Sequence, residues 1–109
     1  MENQRPKVGV NVFVVKDGKL LLGKRKKMAG DGYWGLPGGH FEWMESLAAG
    51  AGRELTEETG LTADKLTFLH VVNSPNPEDG THYIAVDFLA EGVHGEPKIM
   101  EPEKCYEWR

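Results

Sequence analysis

Val8, Val10, Val12 and Val14 alternate with intervening residues, a period of two that predicts a half-buried β-strand. Asp17-Gly18 follows as a hairpin turn, and Leu20 to Leu22 carry the second strand into a basic cluster, Lys24 to Lys27. The stretch "KKMAGDGYWGLPGG" has no period and is rich in glycine, so it predicts a loop. From Ser46 the period changes. Leu47, Gly50, Ala51 and Leu55 fall near a 3.6 repeat and predict a helix over 46–59 with a thin apolar stripe. Ser46 suits its N-cap and Gly60 its C-terminal stop. "KLTFLHVVNS" and "THYIAVDFLAEG" predict two strands joined by a loop over 73–80 that holds Pro75 and Pro77. "HGEPKIMEPEKCYEW" predicts a proline-containing loop and a short last strand. The order is β-β-α-β-β-β, an α+β fold in one domain over 1–109, with a mixed β-sheet and one helix packed on one of its faces. Such a sheet needs cover on both faces. Either the chain is a shortened form or another subunit supplies the second cover, in which case a homodimer is expected.

Composition narrows the class. A chain of 109 residues with 39% hydrophobic and 28% charged residues is ordinary for a folded domain. Its net charge of −4 argues against a partner that is a nucleic-acid polymer, which calls for a basic surplus. A small anionic ligand stays open, because local charge decides that. Cys105 is the only cysteine, so no disulfide can form within the chain, which fits a reducing compartment. No apolar run is long enough to span a membrane, and the start lacks a signal-peptide core. A cytoplasmic location follows as the expectation.

The helix carries the chemistry. Glu54, Glu57 and Glu58 stand at i, i+3 and i+4, on one helical face. Glu54 opposes Glu58 at a cost of roughly 0.2–0.5 kcal/mol. Glu57 and Glu58 also sit at the negative end of the helix dipole, where a carboxylate is worse than a cation by about 0.3–1 kcal/mol. Gly50 and Gly52 weaken the helix by about 1 kcal/mol each relative to alanine. Arg53 compensates Glu57 alone. The spacing is either a solvated acidic face or a set of hard oxygen ligands for a divalent cation such as Mg²⁺ or Mn²⁺. The "LPGG" turn before it, whose backbone can approach a metal or phosphate, favours the second reading.

With Gly39, Glu45 and "RELTEETGL" from Arg53 to Leu61, the segment matches the Nudix box, Gx₅Ex₇REUxEExGU with U apolar, at every fixed position. The chain is thus identified as resembling the Nudix family. The resemblance implies the Nudix fold, with the box helix on one face of a mixed sheet and the usual C-terminal helix missing. It also implies a metal-dependent hydrolase of a diphosphate linked to another moiety, with Mg²⁺ or Mn²⁺ as cofactor. The implied metal ligands are Glu54, Glu57 and Glu58 and the carbonyl of Gly38. The implied base is Glu54 first, with Glu101 and Glu103 as loop alternatives. Arg53 and Glu45 resemble the supporting residues that orient the ligands. For the substrate, Arg25 and Gly39 are candidates for phosphate. Trp34 is the best of the aromatic walls Tyr33, Trp34, Phe41, Trp43 and Tyr83, and His40 and His82 are candidates for phosphate or base.

"GKRK", "LPGGHFE", "VVNS", "HYIAV" and "EPKIMEPEKCYEW" further resemble the plant and animal nucleoside-triphosphate diphosphatase branch. That branch implies release of monophosphate and pyrophosphate from dGTP-like or oxidised purine nucleotides. Two alternatives stay open: another organic diphosphate such as an isoprenoid diphosphate, or a catalytically weak module that binds metal or nucleotide. Met44 stands where the family usually has glycine, and Gly50 and Gly52 stand where larger residues are usual.

Overall fold

The computed structural model describes residues 5–25, 34–78, 80–100 and 105–108, with Arg25, Trp34 and 105–108 described through their backbone alone. Four strands form the main sheet: β1 (Lys7–Phe13), β6 (Gly38–His40), β7 (Thr62–Asn76) and β8 (Thr81–His94), in the order β6-β1-β8-β7. β1 runs parallel to β8 and antiparallel to β6, so the sheet is mixed. β2 (Val15–Lys16) and β3 (Lys19–Leu20) form the hairpin at the Asp17-Gly18 turn. Both turn residues have positive φ, 55° and 74°, which matches the twist of the flanking strands. A second small sheet has the order β5-β4-β9, from β4 (Gly23–Arg25), β5 (Trp34–Gly35) and β9 (Cys105–Trp108).

The single described helix, α1 (Leu47–Thr59), lies where the 3.6 period places it. The Ser46 hydroxyl accepts from the Ala49 amide at 3.1 Å, and Gly60 closes the helix at φ 78°. Val10 and Val12 of β1 and Val86, Phe88 and Ala90 of β8 meet Ala51 and Leu55 of α1 and Leu61 in one apolar core. The valine alternation thus buries Val10 and Val12 under α1, leaves Val8 exposed near the start of the strand, and turns the odd positions to the opposite face.

Three expectations need correction. The glycine-rich "WGLPGGH" stretch contains β5 and β6, because backbone pairing with β4 and β1 sets these strands and leaves no hydrophobic period. β7 runs on to Asn76, so the connection to β8 is shorter than 73–80. Pro75 is tolerated there because β7 is the edge of the sheet, where one side needs no amide donor. Leu47, assigned to the apolar stripe, is exposed, and the helix buries Gly50, Ala51 and Leu55 instead. Among the described residues no helix is long and apolar enough to cross a membrane.

Candidate active site

Arg53 organises the site. Its Nε and Nη2 donate to the two oxygens of Glu45 at 3.1 and 2.8 Å, a bidentate pair. Nη1 donates to Glu54 Oε2 at 2.9 Å and to Glu57 Oε1 at 3.2 Å. Nη2 also donates to the carbonyl of His40 at 3.0 Å, which ties the end of β6 to the helix. Glu45 has a local role as well: its Oε1 accepts the Glu42 amide at 2.9 Å and shapes the turn that leads into α1. The Arg53 guanidinium holds the Glu45 carboxyl below the usual carboxylate range. Hydrogen bonding to Glu45 in turn holds Arg53 above its own ordinary value.

Glu54 is 8% exposed and Glu58 6% exposed, unusual for carboxylates. Burial pushes Glu54 up from its ordinary value; Arg53 pulls it back, and repulsion from Glu58 and Glu57 adds to the rise. Gly39 leaves the space that Glu54 fills, since a Cβ there would overlap its carboxylate. The Gly38 amide donates to Glu58 Oε1 at 3.1 Å. The two glycines of "LPGG" therefore seat two of the three glutamates, one by leaving room and one by a hydrogen bond.

The donor set suits a divalent cation. Three carboxylates share a face with one guanidinium among the described residues, and their mutual repulsion adds to the burial that raises Glu54. Hard oxygen ligands in surplus are what Mg²⁺ and Mn²⁺ take. As the side chains stand, no three His, Cys, Asp or Glu groups among the described residues close around one point. Glu57 is turned toward Arg53 and Glu58 toward the Gly38 amide.

The structure brings together Gly38, Gly39, Glu45, Arg53, Glu54, Glu57 and Glu58. His40 is exposed on the far side of β6, where its Nε2 meets the Tyr83 hydroxyl at 3.0 Å and the two rings stack. His82 pairs with Asn73 at 2.6 Å and lines a cavity of about 420 Å³ near Arg5 and Pro75, away from the glutamates. Trp43, a candidate aromatic wall, is 91% exposed, whereas Phe41 packs against the core. The side chains of Arg25 and Trp34, and all of Tyr33, Glu101 and Glu103, lie outside the described residues.

Sequence reasoning missed a polar group on the face opposite α1. Asp87 is 4% exposed, accepts from Asn11 Nδ2 at 3.2 Å and pairs with His70 Nε2 at 2.8 Å. Its signal is legible: an aspartate inside the apolar run "IAVDFLA" and an asparagine inside "VGVNVFV".

Residues 5–109 match the family model described as NUDIX domain. The chain is 36% identical over 99 residues to the ADP-ribose pyrophosphatase of Methanocaldococcus jannaschii, covering 91% of this chain and 59% of the relative. It is 38% identical over 95 residues to the oxidized purine nucleoside triphosphate hydrolase of Mus musculus, covering 83% of this chain and 58% of that one. The chain thus spans about three fifths of the length of these relatives. Among solved structures, the MutT NUDIX hydrolase of Burkholderia pseudomallei superposes with a TM-score of 0.91 at 37% identity, over 96% of this chain and 81% of that one. With the box glutamates seated by the "LPGG" glycines and a family match over nearly its whole length, the chain belongs to the Nudix family.

Proposed function

We propose that this protein hydrolyses a phosphoanhydride bond of a purine nucleotide, converting a nucleoside triphosphate to monophosphate and pyrophosphate. The observation that carries the proposal is the pair of buried glutamates, Glu54 and Glu58, seated beside Gly38 and Gly39 and tethered through Arg53 to Glu45. Glu54, Glu57, Glu58 and the Gly38 carbonyl would hold a divalent cation. Such a cation, when bound, neutralises diphosphate charge and makes water a better nucleophile. The chain's own residues do the rest. Glu54, raised by burial, is the base toward an attacking water. Arg53 holds the carboxylates of Glu54 and Glu57 together on one face of the helix, from which a cation would draw them. Glu45 keeps Arg53 in place, a supporting role usually worth about 10–100-fold in activity.

A second reading is an ADP-ribose-like substrate, favoured by the similarity to the Methanocaldococcus jannaschii protein over most of this chain. Hydrolysis of dGTP, 8-oxo-dGTP, ADP-ribose and an isoprenoid diphosphate, each with Mg²⁺ and Mn²⁺, separates the readings. The first expects pyrophosphate from a triphosphate; the second expects AMP and ribose phosphate. Glu57→Gln should lower turnover by roughly 10²–10⁴-fold on whichever substrate is cut. Metal binding with no turnover of any diphosphate would leave the chain a binding module.

The same reading includes a homodimer. Phe68, Val71 and Val72 of the edge strand β7 are exposed apolar residues that a second copy would cover. Sedimentation at micromolar concentration should give twice the chain mass, and a single-chain mass would refute the assembly.

A further inference from the structure

The cavity beside His82 lies outside the hydrolytic site. It measures about 420 Å³ and opens where β1 begins and the β7–β8 hairpin closes. Lys7 of β1 pairs with Tyr83 of β8, and Pro75 and Asn76 of β7 pair with His82 and Thr81 of β8. Asn11, which pairs with Gly38 beside the glutamates, stands further along β1. At roughly 3.3 Å per residue, Lys7 and Asn11 are about 13 Å apart along the strand.

The charge here is opposite to that of the glutamate face. Arg5 and Lys7 line the cavity, and among the described residues no carboxylate does. Glu78, at the tip of the hairpin, is exposed and stays off the lining. Neither cation has an ion pair through its side chain among the described residues. Pro6 stands between them and disfavours helical backbone at Arg5, which keeps side chains two positions apart on one side of the chain. In a chain of net charge −4, two cations at one recess reverse the local sign and concentrate anions there.

The other wall is stiff. Pro75 and Pro77 have their φ fixed by the ring. The Gly80 amide donates to the Pro77 carbonyl at 3.3 Å and closes the turn, with Gly80 at φ 69°. His82 Nε2 meets Asn73 Oδ1 at 2.6 Å, which anchors the imidazole. Walls held in this way lose little freedom when a ligand arrives. Charge and size then narrow the ligand. Two fixed cations balance a dianion, and a guanidinium forks onto phosphate oxygens. A phosphate ester carries about −1.5 to −2 at pH 7, whereas a carboxylate carries a single charge. The volume falls in the range of small-molecule sites, about 300–1,000 Å³, so it has room for an organic group beside the phosphate. The proline rings offer that group an apolar surface.

We infer that this cavity is a second anion site, which takes a small phosphomonoester with its phosphate between Arg5 and Lys7 and its organic part against Pro75 and Pro77. The Thr81 hydroxyl supplies a further donor at the same recess. The site needs no metal and shares no residue with the glutamate cluster, so the inference stands apart from the hydrolase reading.

A nucleoside monophosphate and a sugar phosphate share this chemistry, and amide NMR titration of the full chain without metal separates them. Either dGMP or ribose 5-phosphate should shift the Lys7, Thr81 and His82 amides saturably, with a Kd of about 1 mM or tighter. The tighter of the two identifies the organic part. Deoxyguanosine and ribose, which lack the phosphate, should leave these amides unmoved. Arg5→Gln with Lys7→Gln should weaken binding about tenfold or more. Lys16→Gln with Lys19→Gln removes the same charge from the β2–β3 hairpin and should change it by less than roughly twofold, because exposed charges at a distance are screened. Thr81→Trp keeps every charge, fills the recess and should abolish the response. Thermal unfolding checks that each variant is folded. Equal weakening by the two double variants would reduce the effect to net charge and overturn the inference. Shifts confined to Gly38 and Gly39, undiminished binding by folded Thr81→Trp, or no saturable response to either phosphate would overturn it as well, and none of these results bears on hydrolysis at the glutamates.

Discussion

Met44 has φ 69°, the left-handed region that glycine enters freely and a long side chain enters at a cost of roughly 1–2 kcal/mol. The departure from the usual glycine therefore carries strain, and burial does not offset it, since Met44 is 84% exposed. Met44→Gly should stabilise the protein by about 1 kcal/mol after glycine's own entropy cost, seen as a rise of several degrees in Tm. The two helix glycines make the opposite case. A Cβ on Gly50 would come within 2.9 Å of Glu45 Oε1 and 3.2 Å of Phe41 Cδ1. Gly50 thus lets Glu45 lie against the helix and reach Arg53. Gly50→Ala should destabilise the protein in chemical unfolding and lower activity, although alanine is the better helix former. A Cβ on Gly52 meets only a terminal methyl of Leu66, at 3.1 Å, which can move. Gly52→Ala should be close to neutral in the same measurement.

The helix as an element is charged against its dipole. It has no acidic residue in the first turn and no basic residue in the last. Backbone and hydroxyl groups serve its C-terminus instead. The Lys98 amide donates to the Thr59 carbonyl at 2.8 Å, and the buried Thr59 hydroxyl donates to Leu55 O at 2.6 Å and accepts from the Leu61 amide at 3.1 Å. The N-terminal half is tied down by the Arg53–Glu45 pair. Because Glu45 is held below its usual value of 4.5, its share of the stability is fully present above that pH. That share is lost as pH falls through the lowered folded-state value. In thermal unfolding from neutral pH down to about pH 3, Glu45→Gln should lose least, relative to wild type, at the acid end. A constant gap across that range would show that the pair does not couple to folding.

For the whole molecule, a surplus of negative charge at one site predicts that a cation stabilises the fold. Mn²⁺ or Mg²⁺ at a hundred times its dissociation constant should add about 2.7 kcal/mol, and Glu57→Gln should abolish most of the Tm rise. The glutamates are legible in the sequence because a helix places i, i+3 and i+4 together by local geometry alone. The same holds for Ser46 and Gly60 as caps and for Asp17-Gly18 as a turn. β5 and β6 are not legible there, since Gly35, Gly38 and Gly39 carry no hydrophobic period and become strands only by pairing with distant residues. The polar group of Asn11, Asp87 and His70 is the extreme case. Asn11 and Asp87 are 76 positions apart and meet only through a parallel register, and His70 joins them through a bulge. A run of residues can reveal which positions are odd, as Asp87 is, but not which odd positions are neighbours.

The guanidinium of Arg53 has one more consequence. It already occupies an oxygen on Glu54 and one on Glu57, so it acts as a resident counter-ion. A metal arriving alone must compete with it, whereas a metal arriving with a diphosphate brings ligands of its own and competes at an advantage. In a metal-dependent enzyme of the kind proposed, this arrangement would tie metal loading to substrate arrival. Between turnovers the carboxylates would thereby be kept from filling with whatever divalent ion is most abundant.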